Sequence, residues 1–343
     1  MFKLNNKITF ILFTILHFLV DGICALTIFS YLVVNQDTTS TTIILLIYNF
    51  LAFLTQPFIG LLIDKYKNKE RLFLFISILF LFFGVILKNY SIIASILLGI
   101  GNSFFHISGG KYVICHTNNI IDIGVFVSTG ALGLAIGCNY TNSYLLLITL
   151  GLIFIISSII IFSKDSILLS DKVTTNQKLD YKMVFLLLSL VCICVFIRSF
   201  VGKIPNFTFE KTKLILVLFG LASTLGKAIG GIISKIFGIN KTIILTMLLS
   251  MILLSFGNNN LYLSLLGILL FNTSMPITLY LANRIIKYQG FAFGMLAAFL
   301  IPGYLLGLYS FNDIIIKILI ITLSIISVIL VIIVNKRLEK KEW

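Results

Sequence analysis

The sequence predicts an all-α membrane protein with 12 transmembrane helices, built as two bundles of six. Three observations carry that prediction. Composition is the first: of 343 residues, 59% are apolar and 11% charged, with a mean hydropathy of +1.11. Soluble domains carry about 25% charged residues, so a water-soluble globule is excluded. Length is the second: with about 20 apolar residues per spanning helix, twelve spans use roughly 240–250 residues and leave about 90 for short loops and tails. No room remains for a soluble catalytic or ligand-binding domain. Charge placement is the third, because Lys and Arg fall in small groups between apolar runs. A nucleic-acid reader needs a continuous basic stripe with stacking aromatics outside the bilayer, and the net charge of +14 is not arranged that way.

Apolar runs broken by Gly, Asn, Asp and Lys clusters place the first six spans at 8–33, 42–63, 72–88, 91–111, 122–138 and 144–163. The first run opens behind Lys3 and Lys7 as a signal peptide would. It continues past Asp21 to Val34 without a small-residue cleavage site, so it reads as an uncleaved span. After the longest hydrophilic stretch come 183–203, 213–235, 241–257, 260–282, 290–309 and 314–335. The domains are therefore a bundle over 1–163, a cytoplasmic linker over 164–182 and a bundle over 183–343.

With the N-terminus inside, nineteen Lys and Arg fall on the cytoplasmic side, among them Lys3, Lys65, Lys67, Lys111, Lys172, Lys178, Lys340 and Lys341. The other side receives Lys88, Lys203, Lys211 and Lys213, with Lys317 just inside the last span. This bias obeys the positive-inside rule, places both termini in the cytoplasm and requires an even number of spans. Cys24, Cys138, Cys192 and Cys194 lie in or beside apolar runs and Cys115 in a short loop, so they read as small hydrophobes, not a disulfide framework. The abundance of Ile, Asn and Lys points to an AT-rich bacterial genome and hence a plasma membrane.

Sliding the second half onto the first by 170 residues brings Gly60 to Gly230, Lys65 to Lys235, Asn102 to Asn272, Gly124 to Gly294, Gly133 to Gly303 and Gly137 to Gly307. Chance predicts about one glycine coincidence over these windows and four occur. The two bundles are pseudo-repeats.

Between spans 2 and 3 stands Gly60-Leu-Leu-Ile-Asp64-Lys65-Tyr-Lys-Asn-Lys69-Glu-Arg71. Gly60 lets helices approach closely. Asp64, at a helix end, can accept hydrogen bonds from a neighbouring helix N-terminus. Lys65, Lys69 and Arg71 hold the loop at the anionic inner leaflet. The segment resembles the signature loop of the major facilitator superfamily (MFS), Gly-x-x-x-Asp-Arg/Lys-x-Gly-Arg-Arg/Lys, with Lys67 for the second glycine and Asn68 for the usual arginine. That resemblance implies a transporter of six plus six spans, with this loop as its conformational switch. In the second half Ser234 stands where Asp64 does.

Gly101-Asn-Ser-Phe-Phe-His106-Ile-Ser-Gly-Gly110 in span 4 and Ile197-Arg198-Ser199 in span 7 are similar to the fosmidomycin-resistance-like efflux branch, which carries Phe-His-Pro where Ile107 follows the histidine here. Pro276 occupies the repeat position of His106. Gly130, Gly133 and Gly137 resemble the antiporter motif of drug exporters without its proline. With Gly303 and Gly307, their other reading is close helix packing.

Polar residues inside a bilayer should face a cavity or a partner. His17 and Asp21 are spaced i, i+4 on one face of span 1, with Cys24 beyond them. A carboxylate beside an imidazole, whose ordinary titration spans neutrality, is a proton-coupling candidate, and His106 is a third. A structural hydrogen bond to a neighbouring helix is the alternative. Asn102 and His106 mark one face of span 4, and Asn272 marks span 10 through the repeat. Arg198 and Lys227 either snorkel or enter the cavity; if they enter, the cavity favours an anionic or amphipathic organic substrate. Asn49 and Gln56 could equally serve as interhelical glue.

The sequence therefore reads as a monomeric secondary transporter that moves a small molecule by alternating access, two halves rocking around a midplane site. Protons supply the energy and efflux is the expected direction, with an uptake symporter or a uniporter as alternatives. No cofactor is expected and no Gly-x-x-x-x-Gly-Lys-Ser/Thr loop is present. An intramembrane enzyme with His17, Asp21 and His106 as its chemistry is the alternative of another class, but the chain carries no His-Glu-x-x-His or Gly-x-Ser-x-Gly sequence, and two histidines and an aspartate on different spans would form a metal site only by coincidence of packing. A channel would transport without saturation or counterflow.

Overall fold

A computed structural model of the chain describes residues 3–66, 69–117, 119–140, 142–165 and 180–339. Among them twelve helical rods follow one another: α1 Asn6–Leu32, α2 Thr38–Lys65, α3 Glu70–Ile86, α4 Ser91–Thr117, α5 Ile120–Asn139 and α6 Ser143–Phe162, then α7 Tyr181–Lys203, α8 Lys213–Phe237, α9 Ile239–Phe256, α10 Leu261–Ile285, α11 Gln289–Leu306 and α12 Asp313–Glu339. Eleven are long and apolar enough to cross a bilayer. The twelfth, α3, has 17 residues, the lower limit of the ~17–25 a spanning helix needs. The all-α membrane class holds. The strand pairing among the described residues is β1 (Lys3–Leu4) alongside β2 (Lys164–Asp165). Within the expected linker, 166–179 lies outside the described residues, as do Lys67, Asn68, Lys340 and Lys341.

Short polar side chains start the helices. Asn5, Asp37, Asn142, Asn260 and Asn312 each accept a backbone N–H of the following first turn at 2.6–3.0 Å, which satisfies donors that have no partner within the helix. The N–H of Ser40 bonded to Asp37 holds that exposed carboxyl below its usual range. Prolines interrupt the rods. α2 is disturbed at Thr55 before Pro57, α10 at Thr273 before Pro276, and α11 at Phe299 before Pro302. A proline lacks the N–H and displaces the carbonyl one turn back, so a break forms ahead of each. Cys115 lies within α4 and not in a loop, because nothing from Gly110 to Thr117 stops the helix.

The chain gathers into two compact units. The first comprises Met1–Asn118, Thr129–Lys172 and Tyr288–Gly294; the second comprises Asn119–Ser128, Val173–Lys287 and Met295–Trp343. Glycines set the helix crossings inside each. In the first unit α5 lies on α1 so closely that a Cβ on Gly133 would stand 2.9 Å from the Phe18 carbonyl carbon, and one on Gly137 would stand 2.9 Å from Ala25 Cβ. In the second unit α11 lies on α7 in the same manner, with Gly303 against Ser199 Cβ at 2.9 Å and Gly307 against Lys203 Cβ at 2.7 Å.

These two coinciding glycine pairs therefore coincide in contact, whereas Gly60, against Gly290 and Phe291 of α11, and Gly230, against Thr273 of α10, do not. The correspondence extends to Gly124, whose Cβ would meet the Lys227 carbonyl at 2.8 Å, and Gly294, whose Cβ would meet Pro57 N at 2.7 Å. Serine hydroxyls repeat the pattern: Ser77 donates to the Gly101 carbonyl at 2.6 Å and Ser250 to the Gly267 carbonyl at 2.9 Å. Phe58, Leu147, Phe185 and Ile314 are exposed, apolar surface of the kind that lipid covers.

Adding side chain at a closed crossing forces the backbone apart and costs about 1–3 kcal/mol or more. Gly133→Leu should lower the thermal unfolding midpoint of the purified protein by several degrees and reduce the amount recovered folded. Gly151→Leu, at a glycine with nothing within 4 Å, should unfold as the wild type does. Equal midpoints for both variants would show that the crossing tolerates the added volume.

Candidate functional site

The helical period brings two pairs of polar side chains to face one another inside the first unit. On α1, His17 and Asp21 share a face; on α4, Asn102 and His106 do. The Asp21 carboxylate is their common point. Its Oδ1 lies 2.9 Å from His106 Nε2 and accepts a hydrogen bond from Asn102 Nδ2 at 3.0 Å, while its Oδ2 lies 3.3 Å from His17 Nε2. The imidazole rings of His17 and His106 meet edge to face, 4.7 Å between centroids. Their ligand-type atoms, with the carboxylate oxygen, all lie within 4.8 Å of one another. Side-chain exposure is 4% for His17, 13% for His106 and 17% for Asp21, so the carboxylate is held by protein and still partly accessible.

Other residues complete the pocket. A Cβ on Gly130 of α5 would stand 2.8 Å from His17 Cδ2 and overlap both the His17 Nε2 and Asp21 Oδ2 atoms. This glycine, read from sequence as one of a packing or antiporter-type run, leaves the volume in which the ion pair sits. Thr129, beside it, donates to the Thr14 carbonyl at 2.8 Å and fixes α5 against α1. Cys24 Sγ lies 3.8 Å from Asn102 Nδ2 and is hydrogen-bonded with Tyr48 of α2. Sequence reading had no signal for Tyr48, one aromatic among Phe50 and Phe53 in the same apolar run.

The Asp64 loop forms a second polar focus in the first unit. Asp64 Oδ1 accepts the Gly290 N–H at 3.0 Å and Oδ2 the Phe291 N–H at 2.9 Å, so the carboxylate caps the first turn of α11. Gly60 makes room for the cap: a Cβ there would lie 2.6 Å from Phe291 N. Lys111, counted in the sequence among the topology-setting charges, is buried against the same cap. Its Nζ donates to the Ile63 carbonyl at 2.8 Å and lies 3.4 Å from Asp64 Oδ1 and 3.3 Å from Glu70 Oε1. Arg71 donates to the Ser163 carbonyl and ties the start of α3 to the end of α6. Lys65 and Lys69 are exposed.

The second unit holds the remaining candidates separately. Arg198 on α7 does not snorkel outward; its Nη1 donates to Thr278 Oγ1 of α10 at 3.0 Å. Asn272, just before the α10 break, donates to the Ile268 carbonyl at 2.9 Å and to Ser223 Oγ of α8 at 3.4 Å. Lys227 is half-buried on α8. Ser199, next to Arg198, donates to the Leu300 carbonyl at 2.6 Å beside the α11 break. Of the two neutral glues expected on α2, Asn49 bonds the Leu45 carbonyl and Gln56 the Ala52 carbonyl, both within their own helix.

No protein-family model matches the sequence, and no curated protein sequence matches it. Solved structures do. The chain is similar to FucP, an MFS transporter crystallised in the outward conformation, with a TM-score of 0.74 and 13% identity over 96% of this chain and 99% of that one. It is also similar to a single-residue variant of the E. coli fucose:proton symporter FucP, with a TM-score of 0.68, 13% identity and the same coverage. At that identity the likeness concerns architecture: this is a multi-pass membrane chain with the fold of the MFS transporters.

Proposed function

We propose that the chain is a secondary active transporter that moves a small organic solute across the plasma membrane by alternating access and couples that movement to protons at Asp21. The convergence of two imidazoles and an amide on one partly accessible carboxylate supports this reading. An ionised group alone at mid-membrane costs about 2.5–3.5 kcal/mol on insertion scales. Partners that only neutralised it would make a structural ion pair. Histidine differs in that its ordinary titration spans neutrality, so the cluster can hold or release a proton without leaving a carboxylate unpartnered. The MFS fold supplies the context, since one neighbour of that fold is a fucose:proton symporter.

The Asp64 cap supports the switching half of the proposal. Two backbone donors and a buried ammonium converge on one carboxylate; gripping and releasing the first turn of α11 is a two-state event of the kind alternating access requires. Lys65, Lys69 and Arg71 keep this loop at the membrane surface, with both termini on the same cytoplasmic side. Arg198 and Lys227 serve as counter-ions for an anionic or amphipathic solute, with Asn102 and Asn272 among its polar contacts. Efflux is the proposed direction, on the resemblance of the span 4 and span 7 segments to an exporter branch. Symport is the second reading, favoured by the neighbouring symporter. The sign of the pH gradient that drives accumulation separates them.

A solute found by thermal stabilisation of the purified protein should accumulate in proteoliposomes under an imposed pH gradient. Asp21→Asn should abolish that accumulation while substrate counterflow, which needs no net proton movement, continues. Gradient-driven accumulation equal to the wild type would remove Asp21 from coupling.

Arg198→Gln should weaken stabilisation by an anionic solute at least tenfold in midpoint concentration, with an unchanged unfolding temperature in its absence. Undiminished binding would assign Arg198 to the Thr278 bond alone. Asp64→Asn keeps an acceptor oxygen but loses the charge; turnover should fall about tenfold or more, the equivalent of about 1.4 kcal/mol, while solute-induced stabilisation persists. Unchanged turnover would exclude the cap from the transport cycle.

A further inference from the structure

We propose that His17, Asp21 and His106 form a binding site for a divalent first-row transition-metal ion of the zinc or cobalt type. The binding rests on geometry alone; its consequence for transport rests on the proton-coupled reading above. The donor set is two imidazole Nε2 atoms and one carboxylate, a combination that holds zinc in sites with an open coordination position. Bonds of about 2.0–2.1 Å in a tetrahedral shell set ligand atoms about 3.3–3.4 Å apart. Here the carboxylate oxygens lie 2.9 Å from His106 Nε2 and 3.3 Å from His17 Nε2, and all donor atoms fall within 4.8 Å. Closing the widest pair by about 1.5 Å completes the shell, a change that side-chain rotation supplies on helices already in contact.

The surroundings fit the same role. Asn102 Nδ2 donates to Asp21 Oδ1 at 3.0 Å, the kind of outer hydrogen bond that orients a ligating carboxylate. Gly130 leaves room next to His17 Nε2 and Asp21 Oδ2 that any side chain would fill. The partial exposure of Asp21 and His106 leaves a path for the ion and a position for a fourth ligand. Among the described residues, Cys24 on α1 and Tyr48 on α2 are the further titratable groups beside the cluster. Both nitrogens must present lone pairs to a metal, so any proton held there passes to solvent as the ion enters. Metal and coupling proton therefore exclude one another.

The test uses the full chain purified in detergent and titrated with Co²⁺, whose four-coordinate complexes show intense visible absorption bands. One equivalent should produce those bands and Zn²⁺ should displace it. Asp21→Asn and His106→Gln should each weaken binding at least tenfold; His116→Gln, which removes the only other histidine of the chain, should leave it unchanged. X-ray absorption of the zinc-loaded wild type, which depends on no variant folding, should show nitrogen and oxygen scatterers from two imidazoles and a carboxylate. A sulfur-containing shell, binding that follows His116, or no bands in the wild type would overturn the proposal. Loss of the bands with Asp21-dependent transport intact would reject the metal site only. Bands together with transport indifferent to the pH gradient would reject proton coupling only.

Discussion

A bilayer offers no water to a polar group, so every hydrogen-bonding atom within it must find a partner in the protein. The Asp21 pocket is the strictest instance of that constraint in this chain. A carboxylate placed well inside α1 is held on one oxygen by His106 and Asn102 and on the other by His17. Remove the α4 pair and two of those three partners vanish. Give Gly130 a side chain and the space for the ion pair closes. The packing of α1, α4 and α5 is thus specified by polar and steric terms together, whereas apolar contact alone would tolerate sliding, because lipid is as good a solvent for leucine as another leucine is.

The same logic explains why glycine recurs at the crossings. Without a hydrophobic drive between helices, association relies on close van der Waals contact and on hydrogen bonds. Gly133 and Gly137 allow α5 to lie directly on the α1 backbone, and Gly303 and Gly307 allow α11 to do so on α7. Serine bonds from Ser77 and Ser250 to helix carbonyls secure further crossings in each unit. These contacts depend on the absence of side chain, which a sequence reveals directly. For that reason the pseudo-repeat was legible from glycine positions while the leucines around them carried no such information.

Periodicity also exposed each half of the site but not its assembly. The pairs His17 with Asp21 and Asn102 with His106 follow from one turn of helix, so their shared faces were predictable. That the two faces meet depends on how α1 and α4 are rotated about their axes, which a single sequence does not encode locally; a coincidence of His17, Asp21 and His106 accordingly looked remote. The partners of Lys111 were hidden for a related reason. Counting charges by side treats a lysine as a surface marker, but its partners Asp64, Glu70 and the Ile63 carbonyl lie on other helices, and together they keep the ammonium buried at 6% exposure. The cap by Asp64 was foreseeable, because a carboxylate at a helix end in so apolar a chain needs N–H donors; that Gly290 and Phe291 supply them was not.

The two units share the glycine crossings of α5 on α1 and of α11 on α7 but not their polar chemistry, and under the proposed function that difference bears on which of them would handle protons. Where the first unit has His106, the repeat has Pro276, which breaks α10 and leaves no imidazole. Arg198 is the basic group that bonds to α10 in the second unit, through the Thr278 hydroxyl. A guanidinium does not release its proton in proteins, so Arg198 acts as a fixed positive charge throughout any cycle. Imidazoles beside a carboxylate can change charge in place. A repeat under packing constraint keeps its backbone crossings, since altering one glycine disturbs a whole helix. Its inward polar residues need only local partners and are free to diverge. On the proton-coupled reading proposed above, the first unit would exchange the proton and the second would hold the anion.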